Sequence, residues 1–119
     1  MPYIYVSSYG KEDKKGIYIF EFDKDNIEFK FTNHIQTKDF PSYMINDNNI
    51  LYIAYKNASP LNDGGGLGSY IINNGELILN NNYSSSGRSY THLCIDNEKK
   101  YLFAANYHVG ATAAYELKD

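Results

Sequence analysis

Apolar and polar residues alternate along this chain in short runs separated by turn-forming residues, a pattern that predicts consecutive antiparallel strands. Tyr3 to Ser8 forms a first run, and Ile17 to Phe22, broken only by Glu21, reads as a strand covered on both faces. After a turn at Asp23 to Asn26, Ile27, Phe29 and Phe31 alternate with Glu28, Lys30 and Thr32, which marks a strand with one wet face. Pro41 starts a segment containing Met44 and Ile45, which turns at Asn46 to Asn49 and returns through Ile50 to Tyr55. Leu67 to Ile72 follows a loop from Asn57 to Gly66, and Asn73-Asn74-Gly75 turns the chain into Glu76 to Leu79 before a polar run from Asn80 to Ser89. Thr91 to Ile95, Tyr101 to Asn106 and Ala111 to Leu117 complete the set. No window holds an apolar repeat of helical period, so essentially no helix is predicted.

The strands repeat as a group. Tyr101-Leu102-Phe103-Ala104-Ala105-Asn106-Tyr107 lies over Tyr3-Ile4-Tyr5-Val6-Ser7-Ser8-Tyr9 without a gap, and over Leu51-Tyr52-Ile53-Ala54-Tyr55-Lys56-Asn57. Each copy leads through a loop and a glycine (Gly16, Gly66, Gly110) to a strand bearing an aromatic residue (Phe20, Tyr70, Tyr115). A period of about 50 residues with four short strands per unit is the signature of propeller blades. With the strands of a blade labelled A to D, the chain reads B-C-D, A-B-C-D, A-B-C. The predicted fold is all-β: a partial β-propeller of about two and a half four-stranded antiparallel blades, with residues 1–119 forming one domain. The alternative is a single open or sandwiched sheet of about ten strands.

Composition narrows the function classes. The 119 residues suffice for one core, burying roughly 65% of the extended chain's surface. A formal charge of −3 with mixed signs gives no case for a nucleic-acid or anionic-membrane partner. Thirteen tyrosines and six phenylalanines suit pleated surfaces. Cys94, the single cysteine, cannot form an internal disulfide; between Leu93 and Ile95 it reads as a buried thiol rather than a nucleophile, and a reducing compartment is inferred. The N-terminus lacks the pattern of a secretory signal, and no run approaches the ~18 apolar residues of a membrane span, so a cytoplasmic, soluble protein is expected.

The segment SYTHLCIDNEKKYLFAANYHVGATAAYEL resembles the second blade of the lactonase type of seven-bladed propeller, the family of bacterial 6-phosphogluconolactonases and fungal carboxymuconate lactonising enzymes. His92, Leu93, Asp96, Leu102, Phe103, Ala105, Asn106, Tyr107, Gly110 and Tyr115 fall on matching positions of that pattern. YIYVSSY followed by GIYIFEFD is similar to the family's opening, and Pro41-Ser42-Tyr43 to the start of its next inner strand. Tyr55-Lys56-Asn57 and Tyr90 depart from it. The resemblance implies an N-terminal portion of a sugar-lactone hydrolase, 6-phosphogluconolactonase in type, with a small-molecule sugar lactone as partner and no cofactor. Later blades would supply any remaining catalytic groups.

Up-and-down strands sort the loops to opposite ends of the blades. One end collects the A-to-B and C-to-D turns; the other collects the longer B-to-C and D-to-A loops, rich in glycine and serine, where function concentrates. Arg88, His92, Asn106 and His108 belong to the second end. Lactone hydrolysis needs a base to activate water and a cation or donors for the developing oxyanion. His92 is the candidate base and Arg88 the candidate clamp, with Asn106, His108 and Tyr43 as candidate substrate-binding residues. A histidine at a blade's strand start is often structural, hydrogen-bonding a neighbouring loop. His34, on an outer strand, is expected to be exposed. Three scattered histidines and one cysteine show no zinc-type spacing, so no metal is expected. Gly64 to Gly68 lacks the lysine and Ser/Thr of a P-loop and reads as a flexible loop, and Ser84 to Ser86 as linker. The competing functional reading is a non-catalytic propeller segment that binds or assembles. Uncovered faces of the first and last blades predict a homo-oligomer.

Overall fold

The computed structural model describes residues 2–56, 65–84, 89–106 and 110–117, the side chains of Glu12, Ser84 and Asn106 excepted. The described residues form ten strands: β1 (Tyr3–Tyr9), β2 (Lys15–Asp23), β3 (Glu28–Gln36), β4 (Phe40–Asp47), β5 (Ile50–Lys56), β6 (Gly66–Asn73), β7 (Glu76–Ser84), β8 (His92–Ile95), β9 (Tyr101–Asn106) and β10 (Ala111–Glu116). They form three antiparallel sheets, β1-β2-β3, β4-β5-β6-β7 and β8-β9-β10, each in chain order. These are the B-C-D, A-B-C-D and A-B-C groups, and the single ten-stranded sheet is excluded. The helical content among the described residues is one 3-10 turn, Glu12–Lys14.

The sheets pack face to face through two apolar cores. Ile17 and Ile19 of the first sheet meet Leu51, Ile53, Tyr55, Tyr70 and Leu77 of the second, with Tyr3, Tyr5 and Ile35 at the margin. On the opposite face of the second sheet, Ala54 and Leu67 meet Tyr90, Leu93, Leu102 and Ala104 of the third. Alternation along β5 explains both: Leu51, Ile53 and Tyr55 point one way and Ala54 the other, so one strand serves two cores. Ile53 and Ala54 are fully buried.

Tight turns set the register. Asn48 (φ 53°), Asn74 (φ 52°), Gly75 (φ 84°) and Lys99 (φ 60°) take the left-handed conformation between paired strands. At Gly75 a side chain would collide with the Tyr3 ring, while the Tyr5 hydroxyl donates to the Gly75 carbonyl at 3.0 Å. Lys99 pairs with Asp47 at 3.6 Å, so the 96–100 turn of the third sheet meets the end of β4 in the second. In the 96–100 turn, one Asp96 carboxylate oxygen accepts from the Lys100 and Tyr101 amides at 2.8 and 2.9 Å.

Several expectations change. Ile27 is a turn residue (φ 52°), and Phe29 and Phe31 on β3 are exposed at 64% and 59%, so neither face of this half of β3 is covered. Phe29 and Phe31 lie instead on the outer face of the first sheet, where Tyr18, Phe20 and Phe22 meet them in tilted and edge-on ring contacts. Correspondingly, β2 is fully buried on one face at Ile17 and Ile19 and only half-buried on the other. His34 is half-buried, stacked on Tyr18 (4.1 Å) with Nε2 3.1 Å from the Lys15 carbonyl. Strand β7 runs on through the polar Asn80 to Ser84, because an outermost strand needs only its ladder to β6 and can turn amides to solvent. Gly66 and Gly68, read as loop, belong to β6.

Two predictions follow from this packing. Ile53→Ala, which empties space between the first two sheets, should lower stability by about 2–5 kcal/mol in urea unfolding. The amide bonds of Tyr101 and Lys100 hold the Asp96 carboxyl below its ordinary 3.8. Its stabilisation is therefore complete above 3.8 and disappears as pH falls through the lower folded value. Asp96→Ala should lower the urea midpoint at neutral pH, and the difference from the parent should vanish in strong acid; a difference independent of pH would contradict this.

Candidate functional site

Inner strands β4 and β8 run side by side at the junction of the second and third sheets. Each begins at the loop-rich end, which brings Tyr43 and His92 together: their rings lie 4.5 Å apart, tilted by 34°. Two hydrogen bonds fix this junction. The Ser42 hydroxyl donates to the Tyr90 carbonyl at 2.6 Å and stands 3.0 Å from that of Ala54, and the Tyr90 amide donates to the Tyr55 carbonyl at 3.2 Å. The Tyr90 ring is buried below, its hydroxyl 3.3 Å from that of Tyr115.

His92 itself is exposed, as the first residue of β8 opposite Ala105. Leu93 turns inward to the core, which sends His92 and Cys94 to the other face. There they border a groove of about 500 Å³ together with Phe103, Ala105, Thr112 and Ala114. The expectation of a buried Cys94 is thus corrected: the thiol is exposed, because alternation overrides the apolar character of its two neighbours.

Of the sequence-predicted site residues, His92 and Tyr43 are brought into contact. Arg88 and His108 lie outside the described residues, as does the Asn106 side chain; the Asn106 backbone ends β9 opposite Ala111. Ser42 escaped sequence reasoning. Its signal was a hydroxyl between Pro41 and Tyr43 in an inner strand, where a polar side chain needs a partner. The His92 imidazole is exposed and lies against the Tyr43 ring. Its ring contact limits how it turns.

Three sheets packed face to face, with inner strands adjacent at one edge, define an assembly of propeller blades. The family model described as lactonase, 7-bladed beta-propeller, matches residues 3–119, and the chain belongs to that family. It is similar to the 6-phosphogluconolactonase of Bacillus subtilis (strain 168), with 30% identity over 119 residues, 97% of this chain and 33% of that protein. It is also 32% identical over 115 residues to uncharacterized proteins of Staphylococcus aureus strains USA300 and COL, covering 95% of this chain and 32% of each relative. The chain therefore spans about a third of the length of the curated relatives it matches. No helix among the described residues is long and apolar enough to cross a membrane.

The ring contact predicts that the His92 ring protons are shifted upfield by the Tyr43 ring in the proton NMR spectrum. Tyr43→Leu should remove the shift and Tyr43→Phe should retain it; equal spectra for the two variants would show that the rings do not meet.

Proposed function

We propose that this chain forms the first blades of a sugar-lactone hydrolase, with His92 as the base, and that the substrate is a lactone of the 6-phosphogluconolactone type. The observation that carries the reading is the pairing of His92 with Tyr43 on adjacent inner strands at the loop-rich end, in a chain of the lactonase family. The neutral imidazole takes a proton from water as its oxygen bonds to the lactone carbonyl carbon. The ring C–O bond then breaks, and the leaving oxygen takes a proton to give the open hydroxy acid. Arg88, from the same D-to-A connection, serves as the cationic clamp for phosphate or oxyanion, and Asn106 and His108 complete the substrate contacts. The reaction needs no cofactor, and a cytoplasmic location suits a phosphorylated sugar substrate.

The test is lactone opening by the complete protein that carries this segment, measured above the spontaneous rate. His92→Ala should lower kcat by about 10²- to 10⁴-fold with the fold retained. A complete protein without turnover would overturn the proposal and favour a propeller that only binds or assembles.

The same reading concerns association. The outer face of the first sheet exposes Val6, Phe29 and Phe31, and that of the third exposes Tyr101 and Phe103. Faces of this kind are covered at both inner junctions, so the 119-residue chain by itself is expected to form a homo-oligomer through them. Light scattering that finds a monodisperse monomer would contradict this.

A further inference from the structure

A second cleft opens between the first two sheets at the loop-rich end, with a volume of about 260 Å³. Among the described residues it shares no lining residue with the groove beside His92. Its floor is formed by Tyr55 and Tyr70, both buried. Burial pushes the Tyr55 phenol up, with Tyr70 and then the Asp39 carboxylate adding to the effect, so the hydroxyl stays a neutral donor and acceptor. Gly68 makes the room: a Cβ there would stand 2.6 Å from Asn82 Oδ1 and 2.7 Å from Tyr55 Cε2. The rim is the connection from β3 to β4. Thr37 Oγ1 donates to the Asp39 carbonyl at 2.7 Å, and Asp39 Oδ2 accepts from the Gly65 amide at 2.8 Å, which ties that rim to the start of β6.

The chemistry of the lining selects a ligand class. Gln36, Asn82 and Tyr55 present neutral amide and phenol groups that donate and accept alike, which is what hydroxyl groups require. Among the described residues, Lys38 on the rim and Lys15 in the adjoining hollow are offset by Asp39 and Asp13, which gives an anion little net attraction. At about 260 Å³ the cleft has room for a single small molecule such as one six-membered ring. We propose that the cleft between the first and second blades binds a small, uncharged, polyhydroxylated molecule of monosaccharide size, apart from the lactone chemistry assigned to His92.

The test is an amide ¹H–¹⁵N NMR titration of the labelled protein with glucose, inorganic phosphate and cyclohexanol as separate probes. Glucose should move the amides of Gly65, Gly68, Tyr70 and Asn82 with saturation on the order of millimolar. Gln36→Leu and Asn82→Leu should each weaken binding by about tenfold. Both side chains are exposed, and the same spectra report whether each variant folds. If Asn82→Leu unfolds, Gln36→Leu decides. The proposal is overturned if glucose gives no saturable shift at these amides, if phosphate or cyclohexanol moves them in preference, or if the folded variants bind glucose as the parent does.

Discussion

Everything in this structure leans on the two-sided burial of β5. A strand in the middle of a sheet that is itself sandwiched between two others has no wet face, and Leu51, Ile53, Ala54 and Tyr55 are all buried. Their alternation assigns Leu51, Ile53 and Tyr55 to the core shared with the first sheet and Ala54 to the core shared with the third. Hydrogen bonds close the ladder on both edges of β5, so its backbone is satisfied within the sheet and its side chains carry the packing. The hydrophobic contribution of such burial, about 25 cal/mol per Å² of apolar surface, is larger than that of the exposed ion pairs such as Lys100 with Glu98.

The candidate site inherits its geometry from that strand. The Ala54 carbonyl and the Tyr55 carbonyl are the anchors to which Ser42 and the Tyr90 amide attach. Tyr90 leads directly into β8, where Leu93 locks into the core and His92 is left facing out beside Tyr43. The cleft on the other side of the second sheet has the same origin, since its floor is the Tyr55 ring lying over Gly68. One strand therefore sets the height and orientation of both features, one on each face.

Strand order and blade grouping were legible because pleat alternation and the recurrence of Tyr3-Ile4-Tyr5, Leu51-Tyr52-Ile53 and Tyr101-Leu102-Phe103 survive without any knowledge of contacts. Which face of a strand is covered was not legible. In an assembly of stacked sheets both faces can be apolar, so Phe29 and Phe31 look like core residues and are exposed, while Cys94 looks buried and is not. His34 escaped for the same reason: its neighbour Tyr18 lies across the ladder, on β2. The site was half legible. His92 and Tyr43 could be named from strand starts, but their contact depends on two strands nearly fifty residues apart in sequence lying side by side, and Ser42 and Gly68 acquire meaning only from what packs against them.

Native-state hydrogen exchange measures the central claim most directly, because it reads the protection of each strand separately. If β5 is the support of both cores, the amides of Leu51 to Tyr55 should be among the slowest to exchange, with β3 and β7, each bonded along one edge alone, much faster. Exchange in β5 as fast as in β3 and β7 would contradict the account.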